Sequence, residues 1–182
     1  MKTQRETPNF LIDEICNTIE NSIDFRDGIF EVDNVLEPSA GEGKLMLELS
    51  NRLIVSKLRR DNFVCVELNE EKAKKCGEYF NTIHADFLQH DFKNKKFTII
   101  AAAPPFNNNV DVEHIQKMYD LLEHGGVIVT LTSPLWMTNN ETHQVAFRKF
   151  LENKSYSMKM VPDNTFMEKG KTVPTAILKI TK

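Results

Sequence analysis

The side chains that could carry chemistry in this sequence gather where predicted strands end. The first group is the turn Glu37-Pro38-Ser39-Ala40-Gly41-Glu42-Gly43, which follows the apolar pair Val35-Leu36 and precedes a leucine-rich segment. A strand, a glycine turn and a helix in that order form the first half of a βαβ unit. Glycines let the backbone turn sharply and let a ligand approach it, and amides at the helix start point into the same space. This stretch predicts a ligand-binding turn.

The glycine spacing disfavours phosphate as the ligand, because the sequence lacks both GxGxxG and GxxxxGK[ST]. Glu67, followed by Leu68, ends the second predicted strand, where a carboxylate can accept hydrogen bonds from a ribose diol. A solvated carboxylate is the alternative, but the upstream turn favours ribose. Asp86-Phe87 follows the third strand. The Asp can accept from an adenine amino group while the Phe ring packs on the base, although a helix cap fits equally well.

The most specific group is Ala103-Pro104-Pro105-Phe106, after the fourth predicted strand. Each proline lacks an N–H and pushes the residue before it into an extended shape. The strand must therefore stop, which leaves backbone carbonyls unpaired and the Phe106 ring projecting beyond the sheet. Acceptors beside an aromatic ring suit a planar substrate that carries an amino group. The alternative is a rigid strand exit with Phe106 in the core.

Strands alternate with helices along the whole chain. Thr7-Pro8 predicts the start of an amphipathic helix, with the Thr7 hydroxyl as its cap. Strands are predicted at 35–36, 63–66, 82–84, 97–102, 127–131, 155–161 and 175–180, with helices at 44–57, 69–80, 110–122 and 144–151. Gly125-Gly126 is expected to stop the helix at 110–122, and 162–174 is predicted to be a loop. The alternation predicts a doubly wound α/β sheet with ligands at the strand carboxyl ends.

Composition narrows the class of protein. The 182 residues fit one domain, and a net charge of −3 gives no global basic field, so any nucleic-acid contact must be a local patch. The three cysteines are odd in number and lack metal-ligand spacing, which favours reduced thiols in a cytoplasm. His84, His90 and Asp91 match no common ligand spacing, so no metal is expected. No apolar run reaches about 18 residues, so neither a membrane span nor a signal peptide is predicted.

Together these motifs resemble class I S-adenosylmethionine-dependent methyltransferases, and more narrowly their N6-adenine DNA methyltransferase branch. The resemblance rests on EPSAGEG at 37–43, the acidic residue after the second strand, the ADF at 85–87 and the PPF at 104–106. The segments at 111–126, 133–137 and 165–177 are similar to compact phage-associated or stand-alone members. The resemblance implies a Rossmann-like seven-stranded sheet, mostly parallel with an antiparallel closing strand and helices on both faces. It also implies a single domain over 1–182, without a separate target-recognition domain.

The resemblance implies S-adenosylmethionine as cofactor and assigns a role to each matching position. Thr7 and Pro8 would lie near the methionine end of the cofactor. The main cradle would be Glu37, Ser39, Ala40, Gly41 and Gly43. Glu67 would hold the ribose hydroxyls, and Asp86 with Phe87 the adenine. Leu68 and Ala103 would also contact the cofactor. The substrate would face Ala103, Pro104, Pro105 and Phe106.

Ala103 departs from the family pattern, which has Asn or Asp before the two prolines and the aromatic residue. In the family arrangement, that side chain and the carbonyl at the position of Pro104 accept both amino hydrogens, so the nitrogen can pyramidalise towards the methyl group. Losing one such partner costs on the order of 10² to 10³ in rate. Three explanations stay open: loss of catalysis, a compensating acceptor such as Asn107 or Asn108, or an engineered substitution.

The implied activity is methylation of an amino nitrogen, most directly N6 of adenine in DNA. An RNA or protein-amide substrate is the second interpretation, and the third is an impaired cofactor-binding homologue that acts through a protein partner. Duplex DNA would need the target base flipped out against Phe106. Phosphate contacts would come from two basic runs, although such runs are more often solvated faces: Lys57, Arg59 and Arg60, and Lys93, Lys95 and Lys96.

Overall fold

The computed structural model describes residues 6–23, 34–53, 60–105, 110–162, 165–168 and 171–182, without the side chains of residues 60, 167, 168 and 171. The helices are α1 Asn9–Glu20, α2 Lys44–Leu53, α3 Glu70–Gly77, α4 Val110–Leu121 and α5 Thr142–Leu151. The strands are β1 Val35–Glu37, β2 Phe63–Glu67, β3 Asn81–His84, β4 Phe97–Ala102, β5 Leu122–Thr132, β6 Ser155–Met160, β7 Met167–Glu168, β8 Lys171–Thr172 and β9 Ala176–Thr181. Short 3₁₀ turns occupy Arg60–Asn62 and Pro134–Met137.

Seven of these strands form one sheet in the order β3-β2-β1-β4-β5-β9-β6. The pairs from β3 to β5 are parallel, and β9 runs antiparallel to both β5 and β6. The predicted α/β sheet with an antiparallel closing strand is therefore confirmed. Chain order reverses between β1 and β4, and a parallel sheet leaves a crevice at the carboxyl ends of its strands at such a switch point.

Helices cover both faces of the sheet, as predicted. On one face, α1 and α2 bury residues such as Ile15 and Leu49 against the sheet. On the other, α4 and α5 bury residues such as Met118 and Phe147. All six residues of β4 are buried, which confirms the prediction that its continuous apolar run lies between two layers.

Three local predictions are wrong. Pro8 itself occupies the N-cap position of α1 and no side chain caps it, so the Thr7 hydroxyl is not the cap. The two glycines at 125 and 126 do not stop α4, because β5 starts at Leu122 and runs through both of them. Gly125 has a φ of +80°, and a Cβ on Gly126 would lie 2.9 Å from the carbonyl oxygen of Thr98, so both positions favour glycine within the strand.

The third correction concerns residues 162–174, which are more than a loop. They contain a small hairpin, in which Met167 pairs with Thr172 and Glu168 with Lys171. The hairpin is closed by the Val173 amide, which donates to the Phe166 carbonyl over 2.8 Å. It lies between the end of β6 and the start of β9, and those two ends share the sheet edge at which β1, β2 and β4 finish.

No helix in the described ranges is long and apolar enough to cross a membrane. Among the same residues, no three His, Cys, Asp or Glu side chains lie together in a way that could hold a metal ion.

Candidate functional site

The glycine turn after β1 is fixed by backbone hydrogen bonds. The Ala40 amide donates to the carbonyl of Val66 over 3.0 Å, which ties the turn to the neighbouring strand β2. The Gly43 amide donates to the Ala40 carbonyl over 2.8 Å and closes the turn before α2 begins. Gly41 and Gly43 have φ angles of +57° and +87°, a region that other residues adopt only with strain.

The two glycines serve different purposes. A Cβ on Gly41 would meet no heavy atom within 4 Å, so this side of the backbone is open to a ligand. A Cβ on Gly43 would lie 2.9 Å from Cys76 Sγ and 3.6 Å from the Phe80 ring. Gly43 therefore lets Cys76 and Phe80 pack closely against the turn, and its predicted contact with a ligand stays a prediction.

Glu67, at the end of β2, holds this turn in place. Its side chain is only 3% exposed, and its Oε2 accepts the Gly41 amide over 2.8 Å. Its Oε1 accepts the Asn69 amide over 2.7 Å, at the start of α3. Each carboxylate oxygen has a second lone pair, which is where a ribose hydroxyl could donate. Leu68, the next residue, is 68% exposed and offers an apolar surface beside the carboxylate.

Glu37, at the end of β1, is a buried carboxyl group. Its Oε2 accepts the Met46 amide over 3.0 Å, in the first turn of α2. Burial raises the pKa of Glu37 well above its ordinary value, and the neighbouring Cys76 and Glu67 act in the same direction. Glu37 therefore keeps its proton to a higher pH than a solvated glutamate and can offer a donor as well as an acceptor.

A cavity of about 60 Å³ lies against the turn at the carboxyl edge of the sheet. Its lining consists of Glu6, Thr7, Ile12, Glu37, Ser39, Ala40, Gly41, Glu42, Lys44, Leu45, Lys72 and Ala103. The structure thus brings six of the predicted site residues together around one space: Thr7, Glu37, Ser39, Ala40, Gly41 and Ala103. The hydroxyl oxygen of Ser39 is buried and has no hydrogen-bond partner among the described residues. A buried orphan hydroxyl beside a cavity indicates a place for a polar ligand group.

The predicted adenine-binding pair, Asp86 and Phe87, lies outside this lining. Asp86 is exposed, and its Oδ1 accepts the Leu88 amide over 2.9 Å in a tight turn. The Phe87 ring is only 3% exposed and packs against Phe92 and His114. The expectation that this ring packs on a base is therefore corrected, because the ring belongs to the core; the Asp86 carboxylate is what the pair leaves at the surface.

The segment after β4 begins at the cavity. Ala103 is half-buried and lines the cavity, Pro104 is buried and Pro105 is half-buried. Register places Ala102 opposite Thr130 of β5, so this exit lies beside the carboxyl end of β5. Phe106, with Asn107 and Asn108, lies outside the described residues, so its predicted contact with a substrate stays a prediction. Of the other predicted cofactor residues, Pro8, Gly43, Glu67 and Leu68 do not line the cavity.

Asp111, which no sequence motif marks, joins two segments at this edge. It lies in the first turn of α4 and is 2% exposed. Its Oδ2 accepts both the Thr132 hydroxyl and the Ser133 amide, each over 2.8 Å. Burial raises the pKa of Asp111 above its ordinary value. An acidic residue in a first helical turn is the available signal, but that pattern more often marks a solvated helix start.

One turn further along α4, His114 is also buried. Burial lowers the pKa of His114 to about 4, and its Nδ1 has no hydrogen-bond partner among the residues that the structure describes. Its ring centroid lies 4.9 Å from that of Phe87. Next to it, Lys117 donates to the carbonyls of Leu88 and His90 over 3.0 and 2.7 Å, so α4 holds the turn that contains Asp86.

The charges near the cavity are largely paired. Lys44 and Glu6 lie 2.6 Å apart, and Lys75 and Glu42 lie 2.8 Å apart. The basic run at 93–96 does not reach this edge, because it ends at the amino end of β4, where Lys96 donates to the Asp120 carbonyl. The predicted contact of this run with phosphates, at whichever edge, stays a prediction. In the other run, Lys57, Arg59 and the Arg60 side chain lie outside the described residues.

Comparison with known proteins supports the fold. No family model and no curated protein sequence matches the chain. A Listeria monocytogenes protein assigned to the class I S-adenosylmethionine-dependent methyltransferases aligns with a TM-score of 0.79 at 12% identity, over 100% of this chain and 62% of that protein. The methyltransferase subunit of a type I restriction-modification system from Streptococcus thermophilus aligns with a TM-score of 0.74 at 17% identity, over 97% of this chain and 44% of that protein.

A third solved structure, the O-methyltransferase from Bacillus cereus in complex with S-adenosylhomocysteine, aligns with a TM-score of 0.62 at 15% identity, over 99% of this chain and 84% of that protein. The chain spans less than two thirds of the first two proteins. Identities at this level establish the arrangement of the strands and helices. The chain has the fold of class I S-adenosylmethionine-dependent methyltransferases.

Proposed function

We propose that this chain binds S-adenosylmethionine and methylates an amino nitrogen, most directly N6 of adenine in DNA. The observation that carries the proposal is the cavity beside the glycine turn. Ala103 lines it, and so does Ser39, whose hydroxyl has no hydrogen-bond partner among the described residues. The fold supports the same conclusion, because the three solved structures compared above all belong to methyltransferases or their subunits by description.

The residues present fit this cofactor. Gly41 opens the backbone to a ligand, and the Ser39 hydroxyl offers a hydrogen bond that no described residue takes. Glu67 would hold the ribose through the second lone pairs of its oxygens, and Asp86 would accept from the adenine amino group. When bound, S-adenosylmethionine supplies an activated methyl group. Thr7 and Glu37 line the part of the cavity that would receive the methionine end.

The contribution of the chain to methyl transfer would be positioning and exclusion of water. The amino nitrogen would gain the methyl group and release one proton. Ala103 lines the cavity but has no side-chain acceptor, so acceptors for the amino hydrogens would have to be backbone carbonyls in the segment that begins at Ala103. We therefore expect slow turnover, lower by about 10² to 10³ than with an asparagine at this position.

The substrate is the less constrained part of the proposal. DNA is suggested by the motif and by the restriction-modification subunit among the similar structures. RNA or a protein amide is the second candidate, because the same fold serves other acceptors, as in the Bacillus cereus O-methyltransferase. A cofactor-binding protein that acts through a protein partner is the third. A single domain over 1–182 and a cytoplasmic setting are also parts of the proposal, and the three free cysteines suit the cytoplasmic setting.

The test is transfer of labelled methyl from S-adenosylmethionine to unmethylated DNA, to RNA and to a protein pool. Label in DNA from the unaltered chain supports the leading proposal. Label only in RNA or protein supports the second candidate. If nothing is labelled but Ala103→Asn restores labelling, the chain is an impaired binder. The matched control is Glu67→Gln added to Ala103→Asn, which at a cofactor concentration below the dissociation constant should lower labelling about tenfold or more by weakening cofactor binding. Labelling that stays unchanged in that control contradicts the assigned cofactor site.

A further inference from the structure

The seven-stranded sheet ends at β6, and one side of this strand pairs with β9 along its whole length, from Ser155 opposite Thr181 to Met160 opposite Ala176. In the described ranges, no strand pairs with the other side of β6. An unpaired strand edge presents a row of backbone donors and acceptors that can pair with another chain. β6 contains no proline, which would otherwise interrupt such pairing.

The two faces of β6 differ in polarity. Side chains alternate across a strand, so Tyr156, Met158 and Met160 share one face. Met158 packs against the cluster under α4 and α5, whereas Tyr156 and Met160 are 47% and 54% exposed. The opposite face carries two serines and Lys159, whose ammonium group is paired with Glu14 of α1. A partly exposed apolar row therefore runs along the edge strand of the sheet.

We propose that β6 pairs antiparallel with β6 of a second copy of this chain, which would continue the sheet across a two-fold axis. Such an interface is self-complementary, since each copy presents the same strand. With the axis at Met158, that residue lies opposite the partner's Met158, and Tyr156 lies opposite the partner's Met160. All three apolar side chains then gain an apolar cross-strand neighbour, which stabilises antiparallel pairs.

The charges of the strand select this register over its neighbours. A two-fold axis perpendicular to the sheet keeps each side chain on its own face. The nearest alternative registers therefore place this axis at Ser157 or at Lys159. With the axis at Lys159, that residue would lie opposite the partner's Lys159, and like charges directly opposite destabilise a pair. With the axis at Ser157, Met160 would lie opposite the partner's Lys154. The Met158 register places Lys159 opposite the partner's Ser157, so charge and polarity favour it.

Cysteine crosslinking tests both the interface and its register. In the Met158 register, Met158→Cys should form a disulfide-linked dimer under oxidised glutathione, because the residue faces its own copy. Met160→Cys alone should stay monomeric, whereas a mixture of Met160→Cys and Tyr156→Cys should link. The three native cysteines are fully buried, which protects them from the same reagent. No linkage of Met158→Cys, or equal linkage of all variants alone, overturns the proposal.

Two variants of opposite charge at the exposed Ser157 provide a second measurement, made on the protein without crosslinks. Ser157→Lys would lie opposite the partner's Lys159 twice per dimer, and Ser157→Glu would place an opposite charge there. We expect the dimer dissociation constant from sedimentation to rise about twofold to tenfold for the lysine variant and to fall for the glutamate variant. Thermal melting of both variants checks that the monomer fold is intact. A dimer that responds to neither change lies elsewhere on the surface, and a chain that stays monomeric at all concentrations contradicts the proposal.

Discussion

The carboxylate of Glu67 accepts the backbone amide of Gly41 over 2.8 Å, so the residue that ends β2 holds the turn that ends β1. The same carboxylate also accepts the Asn69 amide at the start of α3. Glu67 is thus part of the framework of the turn as well as its proposed ribose ligand. These two roles make it the most informative position for testing the site.

Replacing Glu67 with Gln should weaken both the turn and cofactor binding. The glutamine oxygen can accept one of the two amides, but its NH₂ group would face the other donor. We expect a loss of about 1–3 kcal/mol in the free energy of unfolding. Affinity for S-adenosylmethionine, measured by calorimetry, should fall roughly tenfold or more, since hydrogen bonds to charged groups are worth about 1.5–3 kcal/mol. Glu71→Gln, at an exposed position in α3, is the control and should change neither quantity.

The two glycines of the turn should respond differently to alanine. Gly41→Ala meets no neighbouring atom, so we expect only the conformational cost of a positive φ, about 1–2 kcal/mol. Gly43→Ala adds an overlap with Cys76 Sγ, which brings about 1–3 kcal/mol more. Chemical denaturation measures both values.

A double variant separates these costs. Cys76→Ala removes the atom that the new methyl group would overlap, so Gly43→Ala should cost less in that background. Equal costs in the two backgrounds would mean that Cys76 does not crowd Gly43. Cofactor affinity, in contrast, should fall more in Gly41→Ala than in Gly43→Ala, because Gly41 lines the cavity and Gly43 does not.

Glu37 should make stability depend on pH in a defined direction. Its pKa is raised in the folded chain above the ordinary value of 4.5. The stabilisation linked to its proton is therefore fully present below about pH 4.5 and is lost as the pH rises through the folded pKa. We expect Glu37→Gln, which keeps an acceptor for Met46, to flatten this decline in denaturant melts collected from about pH 4.5 upward. Glu42→Gln is the control, because the pKa of this exposed residue is lowered by Lys75. If the decline in stability is unchanged in Glu37→Gln, another titratable group causes it.

Asp111 should act as an acceptor whose charge is dispensable. Asp111→Ala leaves the buried Thr132 hydroxyl and the Ser133 amide without their partner, which should cost about 1–3 kcal/mol in unfolding free energy. Asp111→Asn keeps an oxygen that can accept both donors and should retain most of the stability. Thr132→Val removes only one of the two donors and should cost less than Asp111→Ala. If Asp111→Asn is as unstable as Asp111→Ala, the charge is essential, contrary to this account.

The sequence predicts the sheet and six of the residues around the candidate cavity because both rest on local patterns. Apolar runs, helical spacing and the prolines after β4 each act over a few neighbouring residues. The role of Gly43 could not be predicted, because Cys76 and Phe80 approach it only once α3 has folded against the turn. Asp111 was missed for the same reason, since its partners lie 21 and 22 positions further along the chain. Gly125 and Gly126 misled the prediction because glycine marks a helix end and an irregular strand equally well.

Calorimetric titration of the unaltered chain with S-adenosylmethionine tests the central claim most directly, because every proposed activity requires this cofactor. We expect saturable binding of one cofactor per chain, much weaker in Glu67→Gln and unchanged in Glu71→Gln. An absence of binding at millimolar cofactor, with the chain folded by an independent measure, would contradict the account.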